Sequence, residues 1–169
     1  MTLYEKEVQI FGNTREYYSN EQEAWSHMKT ISIPVWKLDT IRNTKYPSKM
    51  YLSINGVLEC EIMKIFTEIY NHSEKFPIKS VYGYVWREIV GGESRSHHSY
   101  GTAIDINPNE NYMIKNGTII AGSLYQPGVN QYSMSSNGSV ITTFKKHNWL
   151  WGGDWYSSKD YMHLTYLGG

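Results

Sequence analysis

The sequence predicts an α+β domain in which a small antiparallel sheet has helices packed on one face. Three observations lead to this fold class. The length of 169 residues suits one hydrophobic core. One segment shows clear helical periodicity, and several short segments alternate apolar and polar residues as strands do. We therefore expect residues 1–169 to form a single domain.

Two helices are predicted to cover the sheet, near residues 20–28 and 55–70. Asn20 and Asn55 stand at their starts, and asparagine is a common helix N-cap. The second helix has the clearer periodicity, because its apolar residues recur every three or four positions and form one stripe. This stripe consists of Leu58, Ile62, Ile65, Phe66 and Ile69. Residues 1–20 lack such a signal and are interpreted as an entry segment.

The predicted strands are short segments rich in β-branched and aromatic residues. They are residues 31–36, 51–54, 78–87, 103–107 and 161–166. Residues 78–87 are expected to form a central strand, and residues 140–147 a short helix. Between them, residues 109–138 have little periodicity and predict a long irregular excursion, with small hairpins around Asn116-Gly117 and Asn137-Gly138.

The composition excludes several classes of function. Sixteen basic residues balance 16 acidic ones, so neither nucleic acid nor an anionic membrane is an expected partner. No signal peptide or apolar stretch long enough to span a membrane is visible. The 15 tyrosines and 6 tryptophans are typical of cores and of grooves that bind sugars or peptides. We expect the chain to act as a monomer.

Cys60 is the single cysteine, which excludes an internal disulfide and a thiolate metal cluster. Its position inside the helical pattern predicts a buried, inert thiol.

A histidine and an aspartate stand seven residues apart in the segment Ser96-His97-His98-Ser99-Tyr100-Gly101-Thr102-Ala103-Ile104-Asp105. A bend at Gly101 would bring an imidazole nitrogen of His98 and a carboxylate oxygen of Asp105 onto one metal ion. His163 is the natural third ligand, because it lies on a terminal strand that can pair beside the strand of Asp105. Asp160 precedes it by three residues, where it could act as a general base.

The pattern Ser96-x-His98-x-x-Gly101-x-Ala103-x-Asp105, followed by Asp160-x-x-His163, resembles the zinc D,D-carboxypeptidases and peptidoglycan endopeptidases related to the vancomycin-resistance D,D-peptidases. The segment Trp151-Gly152-Gly153-Asp154-Trp155 points to one subgroup of that family. The resemblance covers roughly residues 75–166, and the first 50 residues carry no signature of it.

The resemblance implies a zinc ion held by His98, Asp105 and His163, on the face of the sheet opposite the helices. It implies that Asp160 takes a proton from the attacking water and passes it to the leaving amine. The adjacent His97 offers a competing register, but the match to the family pattern favours His98.

The resemblance also implies an arginine upstream of the pattern that stabilises the oxyanion. Arg87 is the natural candidate, with Arg95 as the alternative nearer in sequence. Ser96 is expected to hydrogen-bond the substrate. Asp154 is interpreted as capping a turn rather than supporting a ligand, and the tryptophans at 149, 151 and 155 as walling a cleft or packing the core.

The implied function is zinc-dependent hydrolysis of an amide bond next to a D-amino acid in a peptidoglycan stem peptide. Two bonds remain open: the terminal D-Ala bond cut by a carboxypeptidase, and the L-Ala to D-Glu bond cut by an endopeptidase. Action on the cell wall without a signal peptide would suit a phage-type endolysin released by other means, or a fragment of an exported protein.

A hypothesis of another class is a non-catalytic cell-wall-binding module with a structural metal. Structural zinc sites commonly have four protein ligands, often including cysteine. The three ligands and the spare acid in this sequence favour the enzyme instead.

Overall fold

The predicted α+β class is confirmed in the computed structural model, which describes residues 1–90 and 92–169. Gly91, which the sequence places in a loosened segment before the histidine pair, lies outside the described residues. The helices are α1 (Leu3–Phe11), α2 (Glu21–Ser26), α3 (Glu59–Asn71) and α4 (Ser139–Lys146). The strands are β1 (Met28–Asp39), β2 (Thr44–Asn55), β3 (Val81–Tyr82), β4 (Ala103–Ile106), β5 (Asn111–Lys115), β6 (Thr118–Tyr125), β7 (Leu150–Trp151), β8 (Ser158–Asp160) and β9 (His163–Thr165).

The described strands form three antiparallel sheets rather than the single small sheet that the sequence predicts. The first is the β1–β2 ribbon, the second has the order β3-β4-β9-β7, and the third has the order β6-β5-β8. All pairs within them are antiparallel, as predicted. The division arises because two long hairpins, β1–β2 and β5–β6, satisfy their backbone hydrogen bonds locally and leave the four-stranded sheet to the remaining strands.

Helices α2 and α3 confirm the two main helix predictions. The Asn20 side chain accepts a hydrogen bond from the Glu23 N–H at 2.8 Å, as an N-cap does. Asn55 caps a short 3-10 turn, Gly56–Leu58, that leads directly into α3. The predicted apolar stripe of this helix is fully buried and joins the main core. Cys60 lies on the other side of α3 and is exposed, so the prediction of a buried thiol is wrong.

Helix α1 corrects the interpretation of residues 1–20 as an entry segment. Its N-terminus carries a capping box: the Thr2 hydroxyl accepts from the Glu5 N–H at 3.1 Å, and the Glu5 carboxylate accepts from the Thr2 N–H at 2.7 Å. The pattern Thr-x-x-Glu was visible in the sequence and is the signature of such a helix start.

The prediction of a central strand over residues 78–87 is also wrong, because only Val81 and Tyr82 pair, at an edge of the four-stranded sheet. The chain then passes so close to β2 that a Cβ on Gly83 would lie 2.1 Å from the Ser53 carbonyl oxygen. The Tyr84 N–H donates to the Ser53 carbonyl oxygen of β2 at 2.7 Å, outside the four-stranded sheet. The segment therefore leaves the sheet and crosses towards the histidine pair.

The excursion predicted over residues 109–138 contains a true hairpin, β5–β6. Its turn is Asn116-Gly117, and both residues have positive φ, 52° and 77°, as the tight turns of hairpins require. The second predicted hairpin, at Asn137-Gly138, is wrong, because Gly138 is instead the N-cap of α4. Helix α4 itself confirms the short helix predicted over residues 140–147.

The main core joins α3 to β1, β2, β4, β9 and α4. Trp149 and Trp151 are buried in it. No helix among residues 1–90 and 92–169 has the length and apolarity that crossing a bilayer requires.

Candidate metal centre

The local backbone around His98 explains how its ring is held. Ser96 is the N-cap of a short 3-10 helix, His97–Tyr100, and its hydroxyl accepts from the His98 N–H at 3.3 Å. Gly101 ends this helix in the left-handed conformation with φ 66°. A Cβ at that position would lie 2.4 Å from the Asn55 nitrogen, so only glycine fits both the conformation and the space.

Asp105 and His163 are brought together by strand pairing. Asp105 lies on β4 directly opposite His163 on β9. The prediction that the terminal strand pairs beside the strand of Asp105 is thereby confirmed.

His98, Asp105 and His163 present three potential ligand atoms that all lie within 4.8 Å of one another. His98 Nε2 is 3.1 Å from Asp105 Oδ2, and His163 Nδ1 is 3.0 Å from Asp105 Oδ1. Ligand atoms on one tetrahedral zinc, each about 2.0–2.1 Å from it, lie roughly 3.3 Å apart. These two distances are therefore close to that between neighbouring ligand atoms of a first coordination shell.

The hydrogen bonds of His98 leave one ring nitrogen facing Asp105 without a proton. His98 Nδ1 lies 2.7 Å from the Gly83 carbonyl oxygen, which can only accept, so Nδ1 carries the hydrogen. In a neutral ring Nε2 then presents its lone pair to the Asp105 carboxylate. This nitrogen is buried and lacks a hydrogen-bond partner within the described part of the chain.

His163 repeats this arrangement with the opposite nitrogen. Its Nε2 lies 2.9 Å from the Gly169 carbonyl oxygen and donates to it, which turns the lone pair of Nδ1 in a neutral ring towards Asp105. When both rings are neutral, two lone pairs and a carboxylate converge in a buried space and repel one another unless protons or a metal ion lie between them. The residues therefore fit a bound cation, and each histidine has the outer carbonyl partner that orients metal ligands.

The pKa values of the cluster reflect the same crowding. Burial raises the pKa of the Asp105 carboxyl, but the neighbouring charges of His98 and His163 outweigh it and hold that pKa well below its usual range. Burial lowers the pKa of His163, but the hydrogen bond to Asp105 and the charge of Asp105 together raise it by more. The net shift of that pKa is upward. The carboxylate is thus ionised and favours the protonated form of His163.

Asp160 lies beside this cluster without joining it. It ends β8, which pairs with β5 so that Asp160 lies opposite Met113. Gly152 leaves room for it, since a Cβ there would lie 2.9 Å from the Asp160 Cβ. Asp160 Oδ1 is buried and has no hydrogen-bond partner among the described residues. Burial is the main cause that raises the pKa of this carboxyl to about 6.

A cavity of about 610 Å³ brings the predicted site residues together. Five of them line it: Arg87, Ser96, His98, Asp160 and His163. Asp105 lines the adjoining cavity, which also contains His98 and Arg87. The charge of Arg87 acts on Asp160 and lowers its pKa slightly against the effect of burial.

The two candidate arginines lie in different surroundings. Arg87 lines the cavity, and its guanidinium donates to the Glu88 carbonyl at 3.0 Å. Arg95 instead stacks its guanidinium over the Trp86 ring, 4.2 Å from the ring centroid. The geometry favours Arg87 over Arg95 as the cation that faces the candidate ligands.

The remaining predicted residues separate into two groups. Asp154 lies in a short 3-10 turn, is exposed and pairs with Lys145 at 2.6 Å, so it supports no ligand. Trp149 and Trp151 pack in the core, whereas Trp155 walls the cavity with its ring centroid 5.4 Å from that of His163.

Sequence reasoning missed several residues that shape the site. The Gly83 and Gly169 main-chain oxygens orient the two histidines. The position of a main-chain oxygen cannot be predicted from a pattern of side chains. Met113, Lys115 and Ile120 of the β5–β6 hairpin line the cavity, because the hairpin pairs with the strand of Asp160. The Asn116-Gly117 turn signals the hairpin, but its pairing with β8 is a long-range contact without a local signal.

Comparisons with known proteins agree with this geometry. Residues 90–166 match a family model described as D-alanyl-D-alanine carboxypeptidase. The family resemblance inferred from the sequence is confirmed. The matched range contains His98, Asp105, Asp160 and His163, while Arg87 precedes it.

One curated relative is the peptidoglycan L-alanyl-D-glutamate endopeptidase CwlK of Bacillus subtilis (strain 168), which is 40% identical over 77 residues. The aligned part is 46% of this chain and 41% of that protein, so the chain matches less than half of the relative's length. No solved structure matches the chain.

Proposed function

We propose that this chain is a zinc-dependent peptidase that hydrolyses an amide bond next to a D-amino acid in a peptidoglycan stem peptide. The observation that carries the proposal is the convergence of His98, Asp105 and His163, with Asp160 in the cavity that the two histidines line. Its Oδ1 is buried and has no hydrogen-bond partner among the described residues. The carboxypeptidase family match and the endopeptidase relative support the substrate class.

The donor set of two imidazoles and one carboxylate favours zinc among the common divalent ions. Three protein ligands leave one coordination position open, which distinguishes catalytic from structural zinc sites. A bound zinc ion supplies Lewis acidity and lowers the pKa of water to about 7.

Asp160 is proposed as the general base. Its pKa near 6 keeps it ionised at neutral pH yet basic enough to accept a proton from the attacking water. In the reaction the water oxygen bonds to the carbonyl carbon, the C–N bond breaks, and Asp160 returns the proton to the leaving amine. The carboxylate is then restored for the next turnover.

Arg87 and Ser96 are proposed to act on the substrate. The guanidinium of Arg87 would stabilise the negative charge that develops on the carbonyl oxygen. Ser96 uses one oxygen lone pair to cap the short helix, which leaves its hydroxyl hydrogen and its second lone pair for the substrate.

The bond that we propose is the one between L-Ala and D-Glu. CwlK, as the aligned relative, bears that specificity in its name, whereas the family description names the D-Ala to D-Ala bond. The cell wall is the proposed place of action, and a stem peptide the proposed substrate.

Removal of the metal is expected to abolish activity reversibly. Purified cell walls incubated with the protein should gain new amino groups. A chelator should stop their release and added zinc should restore it, because the bound ion supplies the Lewis acidity of the reaction. The measurement is the amount of new amino groups with time. Release that continues unchanged in excess chelator would contradict metal dependence.

A further inference from the structure

We propose that an aromatic groove beside the metal centre binds an amino sugar of the glycan strand that carries the stem peptide. The inference rests on the proposed function, because it names the part of the same substrate that lies outside the metal site. The groove consists of two adjoining cavities that share the side chain of Tyr84.

The first cavity adjoins the metal centre. It is lined by His98, Asp105 and Arg87 together with Tyr82 and Tyr84. It is therefore continuous with the candidate active site. A substrate held at the metal centre has this groove as a path along which its next groups can lie.

The second cavity extends the path to the N-terminal part of α2. Its lining contains Trp25, whose ring centroid is 5.5 Å from that of Tyr84, together with Glu21 and Gln22. Side-chain amides and carboxylates can hydrogen-bond the hydroxyl and acetamido groups of an amino sugar. An aromatic ring beside such groups offers an apolar face for the sugar ring.

The aromatic side chains of the groove are exposed to an unusual degree. Trp25 is 55% exposed, Tyr51 is 65% exposed and Tyr82 is 58% exposed. These rings line the cavities beside the candidate site and leave more than half of their surface to solvent. Contiguous apolar surface of this kind marks a site of binding.

The backbone groups of residues 83–85 argue against a peptide strand added along that part of the groove. An extended peptide binds such an edge by adding a strand, which requires free N–H and C=O groups. Here the Tyr84 N–H donates to Ser53 and the Val85 N–H donates to His98. The Gly83 carbonyl accepts from the His98 ring. The groove thus offers ring faces and side chains, which suit a saccharide.

A sugar in the groove also bears on which bond is cut. The stem peptide is attached to its sugar through its first residue, so a sugar beside the metal centre brings the first amide bonds of the stem to the catalytic groups. The terminal D-Ala bond lies three residues further along, roughly 10 Å for an extended chain. The groove favours cleavage near the sugar.

The direct test is binding of N-acetylglucosamine tetrasaccharide to the full chain, measured by calorimetry and tryptophan fluorescence. Saturable binding is expected, and Trp25→Ala should weaken it at least tenfold, with partial recovery in Trp25→Phe. Tyr156→Ala removes a fully exposed ring outside the groove and should bind as the parent protein does. Absence of saturable binding, or equal binding by Trp25→Ala, would overturn the proposal.

A kinetic comparison separates this proposal from the proposed function. The parent protein should cleave a stem peptide linked to its disaccharide with a higher kcat/KM than the free peptide, and Trp25→Ala should bring the ratio close to one. A ratio of the two kcat/KM values that is unchanged in Trp25→Ala would contradict a sugar site. An equal loss of kcat/KM on both substrates would also contradict it and would indicate a peptide subsite instead. If neither substrate is cleaved, the peptidase proposal fails, while the tetrasaccharide titration still decides the groove.

Discussion

Asn in place of Asp160 is expected to lower kcat on cell walls by about a thousandfold, the usual effect of losing a general base. Asn keeps the shape of the side chain but cannot accept the proton of the attacking water. Because Asp160 is not one of the three converging ligands, the variant should still bind one equivalent of zinc. The measurement pairs the rate of amino-group release with metal analysis of the purified protein.

Asp154→Asn is the matched control for this variant. Asp154 belongs to the same C-terminal region but is exposed and paired with Lys145 outside the cavity. Its replacement should leave the rate within a factor of two of the parent protein. Full activity in Asp160→Asn would remove Asp160 as the base, and loss of zinc from that variant would indicate that it acts as a ligand instead.

The Asp160→Asn variant also has an expected effect on stability. The raised pKa of Asp160, about 6 in the folded protein, means that the folded state favours the protonated carboxyl. The contribution of Asp160 to the stability of the metal-free protein therefore falls as pH rises from about 4 to 6, and remains lower above that range. Asp160→Asn should be more stable than the parent at pH 8 and similar to it near pH 4, as measured by thermal unfolding.

Replacement of His98 by Ala is expected to abolish zinc binding and activity together. The variant loses one of three ligands and leaves the Gly83 carbonyl without its donor. Affinity for the metal should fall by at least a hundredfold, to substoichiometric zinc after dialysis. His98→Gln better preserves the buried volume and should show the same loss of zinc. Circular dichroism of both variants would reveal a simple failure to fold.

The adjacent His97 provides a control in the same motif. Its Nδ1 accepts from the Gly169 N–H at 3.2 Å, and its ring is not one of the converging ligands. His97→Ala should retain stoichiometric zinc. Retained zinc in His98→Ala, or its loss only in His97→Ala, would contradict the proposed register.

The candidate ligand cluster was predictable from the sequence because its signals are local. The spacing from His98 to Asp105 across Gly101 describes one turn and one strand, both of which form as the residue types require. His163 needed one further assumption, antiparallel pairing with the strand of Asp105. That pairing is the register observed.

Other features depended on contacts between distant parts of the chain. The strand predicted over residues 78–87 ends early because Gly83 allows close contact with β2, and no propensity encodes that contact. The environment of Asp160 depends on the β5–β8 pairing, which connects residues far apart in the chain. The choice between Arg87 and Arg95 rested on the position of Trp86, which stacks on the second arginine.

The burial of Cys60 was misjudged for a different reason. At about 100° per residue, Cys60 lies on the side of α3 opposite the apolar stripe. The helical periodicity itself therefore indicates an exposed side chain, and apolar character alone is a poor guide to burial.

The central claim is most directly tested by mass spectrometry of fragments released from purified cell walls by the zinc-loaded protein. We expect fragments that have gained one water and carry a new amino terminus at D-Glu, with none formed by Asp160→Asn. Stem peptides that remain intact would contradict the peptidase, and loss of the terminal D-Ala alone would contradict the proposed bond.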